Sequence, residues 1–464
     1  MREDGAMAWS WAYLAVSVFG GLLVLNAFRP ARHELFSVGS FFAGWYTGEM
    51  PVWHVVWQVG ATVAFALQGA LGFWPGWVGL GVNLVAWTGL VALARSSAGA
   101  GSVFTKAAEE FPIPAPDGIE LPSGGRATMW RFPRLIYPLP RPARSFGRVR
   151  NIDYVGDGRR SHRLDVISRR RPPVQGAPVL VYIHGGAWII GDKREQGFPL
   201  LFEFARRGWV TVTINYGLSP RATWPEHIVD CKRAIVWVRR HIAEYGGDPG
   251  FIAVSGGSAG GHLAALLALS AGDPDFQPGF EDADASVDAA VPFYGVYDMT
   301  CGGGLSRYDK GLLRLLEQRV FKRKLADDPA PFEAASPLCR VRADAPPFFV
   351  IHGRNDTLVP VASARDFVDA LRSASRAPVL YAELPHTQHA FDVLPSIRSA
   401  HAVAAVVRFL EAVRSGAPAQ PEAGPGASIE EAAADAVMAS APGGGATAPS
   451  SPGRPAQRAR SDVP

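Results

Sequence analysis

Residues 251–269 read Phe-Ile-Ala-Val-Ser-Gly-Gly-Ser-Ala-Gly-Gly-His-Leu-Ala-Ala-Leu-Leu-Ala-Leu. The apolar, β-branched start of this run predicts a buried strand, and residues 262–269 predict a helix. Between them, Gly-Gly-Ser-Ala-Gly matches Gly-x-Ser-x-Gly, the pattern of a nucleophile elbow, in which a sharp turn raises a serine hydroxyl above a sheet. An ordinary glycine-rich turn or a phosphate loop is the alternative, but the lysine that a phosphate loop requires is absent. Ser258 is therefore the candidate nucleophile.

Strand and helix patterns alternate on both sides of this turn. Predicted strands lie at 149–155, 164–168, 179–183, 210–214, 289–294, 348–351 and 379–384, and predicted helices at 227–245, 361–375 and 396–414. Such alternation is typical of a mostly parallel sheet covered by helices on both faces. We therefore predict an α/β catalytic domain over residues 149–414. An insertion at about 298–340 is interpreted as a lid with an apolar lining, or alternatively as simple cover for the core.

The predicted strand 179–183 continues into His184-Gly185-Gly186-Ala187-Trp188. Glycines at the carboxyl end of a strand let backbone N–H groups approach a reacting carbonyl, and the N–H that follows the nucleophile adds to them. We expect the backbones of Gly185, Gly186, Ala187 and Ala259 to form an oxyanion hole. The alternative is a glycine turn beside a structural histidine.

Two further groups complete a serine-based site. Asp356 follows the predicted strand 348–351, at the carboxyl end where open α/β sheets build their sites. His389 lies in the loop after the next strand, and we favour it over its neighbour His386 as the base. The order serine, aspartate, histidine is that of α/β-hydrolases. His352 and Asp366 are expected to be structural.

Long stretches near the amino terminus lack charge. Residues 5–28 and 51–94 contain no Asp, Glu, Lys or Arg, and each exceeds the roughly 20 residues that span a bilayer core. We predict three transmembrane helices at about 8–28, 52–72 and 77–95, with a loop at 29–51 between the first two. A signal peptide and a buried soluble hairpin are the alternatives. The membrane region would then comprise residues 1–97.

Basic residues beside these spans predict the orientation. Arg29, Arg32, Arg95 and Lys106 would share one side of the membrane, and only Arg2 lies on the other. The positive-inside rule therefore places the catalytic domain in the cytoplasm of a multi-pass membrane protein.

Residues 98–148 are rich in proline and arginine and are predicted to be a linker or cap segment. Thirteen arginines between 126 and 171 are interpreted either as a contact with anionic lipid headgroups or as a solvated face. Nucleic acid is not expected as a partner, because the net charge is only +4 and no recognition motif is present.

The remaining features are expected to carry no chemistry. The tail 415–464 is too poor in large apolar residues to fold and is predicted to be disordered. Cys231, Cys301 and Cys339 are widely spaced, which indicates neither a disulfide framework nor a metal site. We expect no cofactor and no metal.

Several motifs recur in a fixed order along the catalytic segment. They are Asn215-Tyr216-Gly217-Leu218-Ser219-Pro220, Trp224-Pro225, Gly246-Gly247-Asp248-Pro249 and the serine elbow. This series resembles the hormone-sensitive-lipase-like group of α/β-hydrolase esterases. With hydrophobic spans in front, the chain is similar to membrane-anchored carboxylesterases and lipases of actinobacteria. The resemblance implies hydrolysis of carboxylic esters by Ser258, Asp356 and His389, with the 185–187 backbone as oxyanion donors.

Three departures bear on the substrate. Gly257 stands where this group usually has an acidic residue, Gly217 replaces a frequent arginine, and Ala187 replaces a common third glycine. The His-Gly-Gly-x-Trp form also occurs in formamidase-like and feruloyl-esterase-like relatives. An amidase, a formamidase or a peptidase of the same fold, and a non-catalytic membrane-bound binding module, therefore stay open as alternatives.

Overall fold

The computed structural model describes residues 2–110, 146–170, 175–300 and 310–416. Most of the predicted linker, residues 301–309 of the predicted lid, Cys301 and nearly all of the predicted tail lie outside these ranges. The same is true of many of the arginines in 126–171, so their interpretation as a lipid contact stays a prediction.

Eight strands and twelve α-helices form within the described ranges. The strands are β1 (Phe146–Asp153), β2 (Arg163–Arg169), β3 (Ala177–Ile183), β4 (Val210–Ile214), β5 (Gly247–Gly257), β6 (Ala289–Phe293), β7 (Phe348–Gly353) and β8 (Val379–Leu384). The helices are α1 (Arg2–Phe28), α2 (Glu34–Glu49), α3 (Pro51–Leu67), α4 (Trp74–Ala98), α5 (Ala100–Glu109), α6 (Phe198–Arg206), α7 (Glu226–His241), α8 (Ala259–Leu269), α9 (Lys310–Leu315), α10 (Ala330–Ala335), α11 (Val361–Ala374) and α12 (Ile397–Arg414).

The strands form one sheet in the order β1-β2-β4-β3-β5-β6-β7-β8. β2 runs antiparallel to both β1 and β4, and all other neighbours are parallel. Every residue of β4 and β6 is buried, as expected for strands covered on both faces, and β6 accordingly consists of apolar residues throughout. The predicted, mostly parallel α/β sheet is confirmed.

Helices cover both faces of the sheet. Side chains of α7, α8 and α11 pack on one face, and those of α5, α6 and α12 pack on the other. The Phe104 ring of α5 lies 6.2 Å from that of Phe349 in β7, edge to face. Residues 100–109, at the start of the segment predicted as a linker, are thus a helix of the core.

The inserted segment after β6 is partly core as well. Leu316 and Val320 are buried, and the ring of Phe321 stacks on Phe332 with a centroid distance of 3.9 Å. Leu312 and Leu313 of α9 are only half-buried. The carboxyl part of the predicted lid therefore also serves as cover for the sheet.

Apolar helices precede the sheet. By length and composition, the described part of the chain has two helices able to cross a membrane, Gly5–Phe28 and Trp74–Glu109, and a third candidate made of α2 and α3, which meet at 92°. Polar groups link three of these helices, because Asn83 donates to the Tyr13 hydroxyl and to Thr62 Oγ1 over 3.1 Å each. The loop predicted at 29–51 contains the 16-residue α2, so that expectation was wrong. Leu35, Val38, Phe42 and Tyr46 do follow helical spacing, but residues 34–49 lie between two predicted spans and were therefore expected only to connect them.

Candidate active site

The elbow forms where β5 ends and α8 begins. Ser258 has φ 59° and ψ −122°, a strained conformation of the kind that clusters at functional sites. A Cβ on Gly256 would lie 2.5 Å from the Ile183 carbonyl oxygen, and one on Gly260 would lie 2.0 Å from the same atom. Both positions therefore require glycine. The Ser258 N–H donates to the Phe293 carbonyl over 3.0 Å, which fixes the turn against β6.

The predicted acid and base are hydrogen-bonded to each other. His389 Nδ1 lies 2.6 Å from Asp356 Oδ2, and both side chains are buried. The other carboxylate oxygen accepts the backbone N–H groups of Leu358 and Val359 at 2.8 Å each. Burial by itself would raise the pKa of Asp356, but the contacts with His389 and His352 outweigh it and hold this pKa below its usual range. The pair presents a carboxylate that orients an imidazole.

His386, His352 and Asp366 are the remaining acidic and histidine residues named from the sequence. Among the described residues His386 has no carboxylate partner; its ring packs on Phe28 with a centroid distance of 5.1 Å. His352 Nε2 lies 3.0 Å from the Val359 carbonyl oxygen and 3.3 Å from Asp356 Oδ2, so it supports the acid loop. Asp366 is exposed on α11.

The glycine loop after β3 contacts the elbow directly, because a Cβ on Gly185 would lie 3.1 Å from Ser258 Cβ. Ala187 and Trp188 have φ values of 53° and 60°, which residues other than glycine rarely adopt, so the backbone of this loop is strained. The Gly185 N–H donates to Gln196 Oε1 over 2.8 Å, a bond that competes with its expected role as an oxyanion donor, and that role stays a prediction. Within the described ranges the N–H groups of Gly186 and Ala187 have no such partner.

Tyr294 connects the elbow to the histidine, and the sequence reasoning missed it. Its ring lies 4.5 Å from the His389 ring, and a Cβ on Gly257 would lie 2.7 Å from its hydroxyl. The tyrosine thus fills the space of a side chain before the nucleophile, which explains the departure at Gly257. Its hydroxyl donates to buried Asp392, whose pKa is raised by burial to about 6 despite this bond. The available signal was the position of Tyr294 directly after β6, the strand beside the elbow strand.

Groups from the amino-terminal helices also reach these loops. Trp45 Nε1 donates to the Ala390 carbonyl over 2.8 Å, one residue beyond the candidate base. Thr357 Oγ1, one residue beyond the candidate acid, donates to the Ser37 carbonyl over 3.0 Å. No motif in the sequence indicates these contacts.

No group of three or more His, Cys, Asp or Glu in the described part of the chain is arranged to hold a metal ion.

Known proteins resemble this chain in sequence and in fold. The family model BD-FAE matches residues 164–371. The probable carboxylic ester hydrolase LipM of Mycobacterium tuberculosis is 44% identical over 433 residues, which cover 90% of this chain and 96% of LipM. Esterase LipQ of the same organism is 47% identical over 298 residues, covering 64% of this chain and 69% of LipQ. A solved structure of a truncated carbohydrate esterase from gut microbiota has a TM-score of 0.52 at 23% identity and covers 60% of this chain and 100% of that chain, which shows the fold.

The sheet order, the strained serine between strand and helix, and these likenesses define an α/β-hydrolase. Because the match to LipM extends over almost the whole of both proteins, the chain belongs to the family of carboxylic ester hydrolases that includes LipM. The resemblance to hormone-sensitive-lipase-like esterases is confirmed by this membership.

Proposed function

We propose that this protein is a membrane-anchored serine carboxylesterase or lipase that acts through an acyl-enzyme intermediate on Ser258. The observation that carries the proposal is the buried pair of His389 and Asp356, joined through Tyr294 to the strained serine elbow. The family of LipM supports an ester as the bond that is cleaved.

In the acylation step, His389 Nε2 takes the Ser258 proton as Oγ attacks the ester carbonyl carbon. Asp356 holds the proton on Nδ1, so that the imidazole presents its lone pair at Nε2. The carbonyl oxygen becomes an oxyanion that accepts N–H groups of Gly186, Ala187 and Ala259. Each such donor typically contributes about a hundred- to a thousand-fold in rate.

Collapse of the tetrahedral intermediate breaks the bond to the alkoxy oxygen, which takes the proton from His389 and leaves as the alcohol. Water then enters, gives a proton to the same imidazole and attacks the acyl carbon. The second intermediate releases the carboxylic acid and returns the proton to Ser258 Oγ. The cycle consumes one water and needs no cofactor.

The anchor in this proposal consists of α1, α3 and α4 as three membrane spans. The hydrogen bonds of Asn83 with Tyr13 and Thr62 support their packing as one bundle, because such polar groups in a membrane usually pair between helices. The match to LipM covers 90% of the chain and so includes more than the catalytic domain.

The catalytic domain is proposed to lie in the cytoplasm, because Arg29, Arg32 and Arg95 flank the spans on its side. A green fluorescent protein fused after Pro464 should then fluoresce, and alkaline phosphatase fused there should be inactive. Active phosphatase at this position would contradict the orientation without affecting the esterase proposal.

The substrate class is tested with p-nitrophenyl esters from acetate to palmitate beside the matching p-nitroanilides. The detergent-purified full-length protein is expected to hydrolyse the esters and to leave the anilides near background. Anilide cleavage at a comparable rate would favour the amidase alternative. A folded protein that cleaves neither series would favour a binding module.

A further inference from the structure

The two faces of α2 (Glu34–Glu49) are arranged in the opposite way to those of a helix on a soluble domain. Its exposed face carries large apolar side chains, which are Leu35 (77% exposed), Val38 (55%), Phe42 (57%) and Tyr46 (47%). Its buried face is mostly small and polar, with Ser37, Ser40, Gly44 and Thr47. A helix on a soluble protein buries its apolar side and exposes its polar side. The outer face of α2 is therefore suited to an apolar medium.

The course of the chain identifies that medium as the bilayer. α2 lies between two apolar helices, α1 and α3, and meets α3 at 92°. If α3 follows the membrane normal, α2 lies along the membrane surface. Arg29 and Arg32, which are exposed just before α2, would then stand at the level of the lipid headgroups. Apolar side chains on one face of such a helix insert into the acyl boundary.

The inner face of α2 touches the loops of the candidate acid and base. The Ser37 carbonyl accepts from Thr357, and the Trp45 indole donates to the Ala390 carbonyl. The Phe41 ring lies edge to face with the ring of His389, with a centroid distance of 6.1 Å. Since a helix with its side chains is about 10–12 Å across, the base would lie about one helix diameter from the lipid.

Both ends of α2 are tied to the catalytic domain. At its end, buried Glu49 pairs with Arg398 and accepts from the Ser396 hydroxyl over 2.6 Å. At its start, Glu34 pairs with Arg314 of the inserted segment over 3.0 Å. The helix therefore holds a fixed position between the outer apolar surface and the loops of the site.

We infer that α2 is a membrane-surface helix that forms the wall between the bilayer and the catalytic histidine. Since this helix places the lipid beside the loops of the site, the esters that the site takes are water-insoluble ones with long acyl chains dissolved in the bilayer. This inference rests on the proposed function and names the source of its substrate.

The position of α2 is tested without reference to activity. In a Cys301→Ser, Cys339→Ser background, a nitroxide is attached to Leu35→Cys or, as the control, to Val149→Cys, an exposed apolar position on β1. The full-length protein is reconstituted in phosphatidylcholine vesicles. At Leu35, oxygen, which concentrates in lipid, should relax the label more than a water-soluble nickel chelate, and at Val149 the order should be reversed. Equal behaviour at the two positions, or a Leu35 label shielded from both relaxants by protein, would overturn the inference.

The source of the substrate is tested by a ratio of rates. The kcat/KM for p-nitrophenyl palmitate embedded in the vesicles is divided by that for p-nitrophenyl acetate in the surrounding water. The Leu35→Glu/Val38→Glu variant should lower this ratio at least about tenfold, because two charges replace side chains that bury in lipid. The Val149→Glu control should leave it within about twofold. An unchanged ratio in the double variant would refute entry from the lipid.

The two tests separate this inference from the proposed function. A lipid-exposed label at Leu35 in a protein that hydrolyses no ester would refute the esterase and keep the membrane-surface helix. A water-exposed label at Leu35 in an active esterase would refute the membrane-surface helix and keep the esterase.

Discussion

Ser258→Ala is expected to reduce kcat for p-nitrophenyl butyrate about a million-fold, to near the uncatalysed background. The methyl group has no proton to give to His389 and no oxygen to form an acyl-enzyme, so both chemical steps are lost. The fold should persist, because the structural hydrogen bonds of Ser258 are made by its backbone, which alanine keeps: its N–H donates to the Phe293 carbonyl, and its carbonyl accepts the N–H of His262. Steady-state kinetics with the detergent-purified protein measure the loss.

The matched control is Ser373→Ala, on the exposed side of α11, where the hydroxyl donates only to the Asp369 carbonyl. Its turnover should equal that of the wild type. If the Ser258 variant kept more than about a thousandth of the activity, another group would have to be the nucleophile, because the oxyanion hole and binding alone give far less.

Asp356→Asn should lower kcat about ten-thousand-fold with little effect on folding. In the structure Oδ1 accepts two backbone N–H groups and Oδ2 faces His389. An asparagine that keeps the backbone bonds with its oxygen must turn its NH₂ group towards Nδ1. The imidazole then adopts the tautomer with the proton on Nε2, where it can no longer accept the serine proton.

Asp366→Asn, an equivalent change at an exposed position on the same part of the chain, is the control and should be neutral. Thermal unfolding followed by circular dichroism would show whether each variant is folded. A loss of less than about tenfold for Asp356→Asn would mean that the carboxylate does not orient the base.

Much of the site follows from local sequence. The elbow is predictable because a strand, a helix and the glycines at 256 and 260 are contiguous, and the collisions that require these glycines involve the turn and its neighbouring strand. Asp356 and His389 follow adjacent parallel strands, β7 and β8, whose carboxyl ends meet at one edge of the sheet. The strand pattern alone therefore brings them together.

The rest depends on contacts between distant parts of the chain. The Gly185 N–H looks available in the sequence, but Gln196 folds back to occupy it. Tyr294 reaches the elbow and the histidine only because Asp392 accepts a hydrogen bond from its hydroxyl and Gly257 leaves it space. No periodicity or motif in the sequence predicts these contacts between distant residues.

The role of α2 was hidden for a different reason. Leu35, Val38, Phe42 and Tyr46 follow the spacing of one helical face, but a hydrophobic period does not tell which neighbours the two faces of a helix meet. Residues 34–49 were predicted as a loop because they lie between two predicted spans, and their contacts with the loops of Asp356 and His389 join parts of the chain that are far apart in sequence.

The central claim is that Ser258 is acylated by its substrate, and a covalent trap tests it most directly. The full-length protein is treated with a p-nitrophenyl alkylphosphonate, which transfers its phosphonyl group to an activated serine, and the digest is analysed by mass spectrometry. We expect one adduct, on the peptide that contains Ser258, formed in proportion to the loss of esterase activity and absent from Ser258→Ala. An adduct on another residue that accounts for the inactivation, or full inactivation of the esterase without modification of Ser258, would contradict the account.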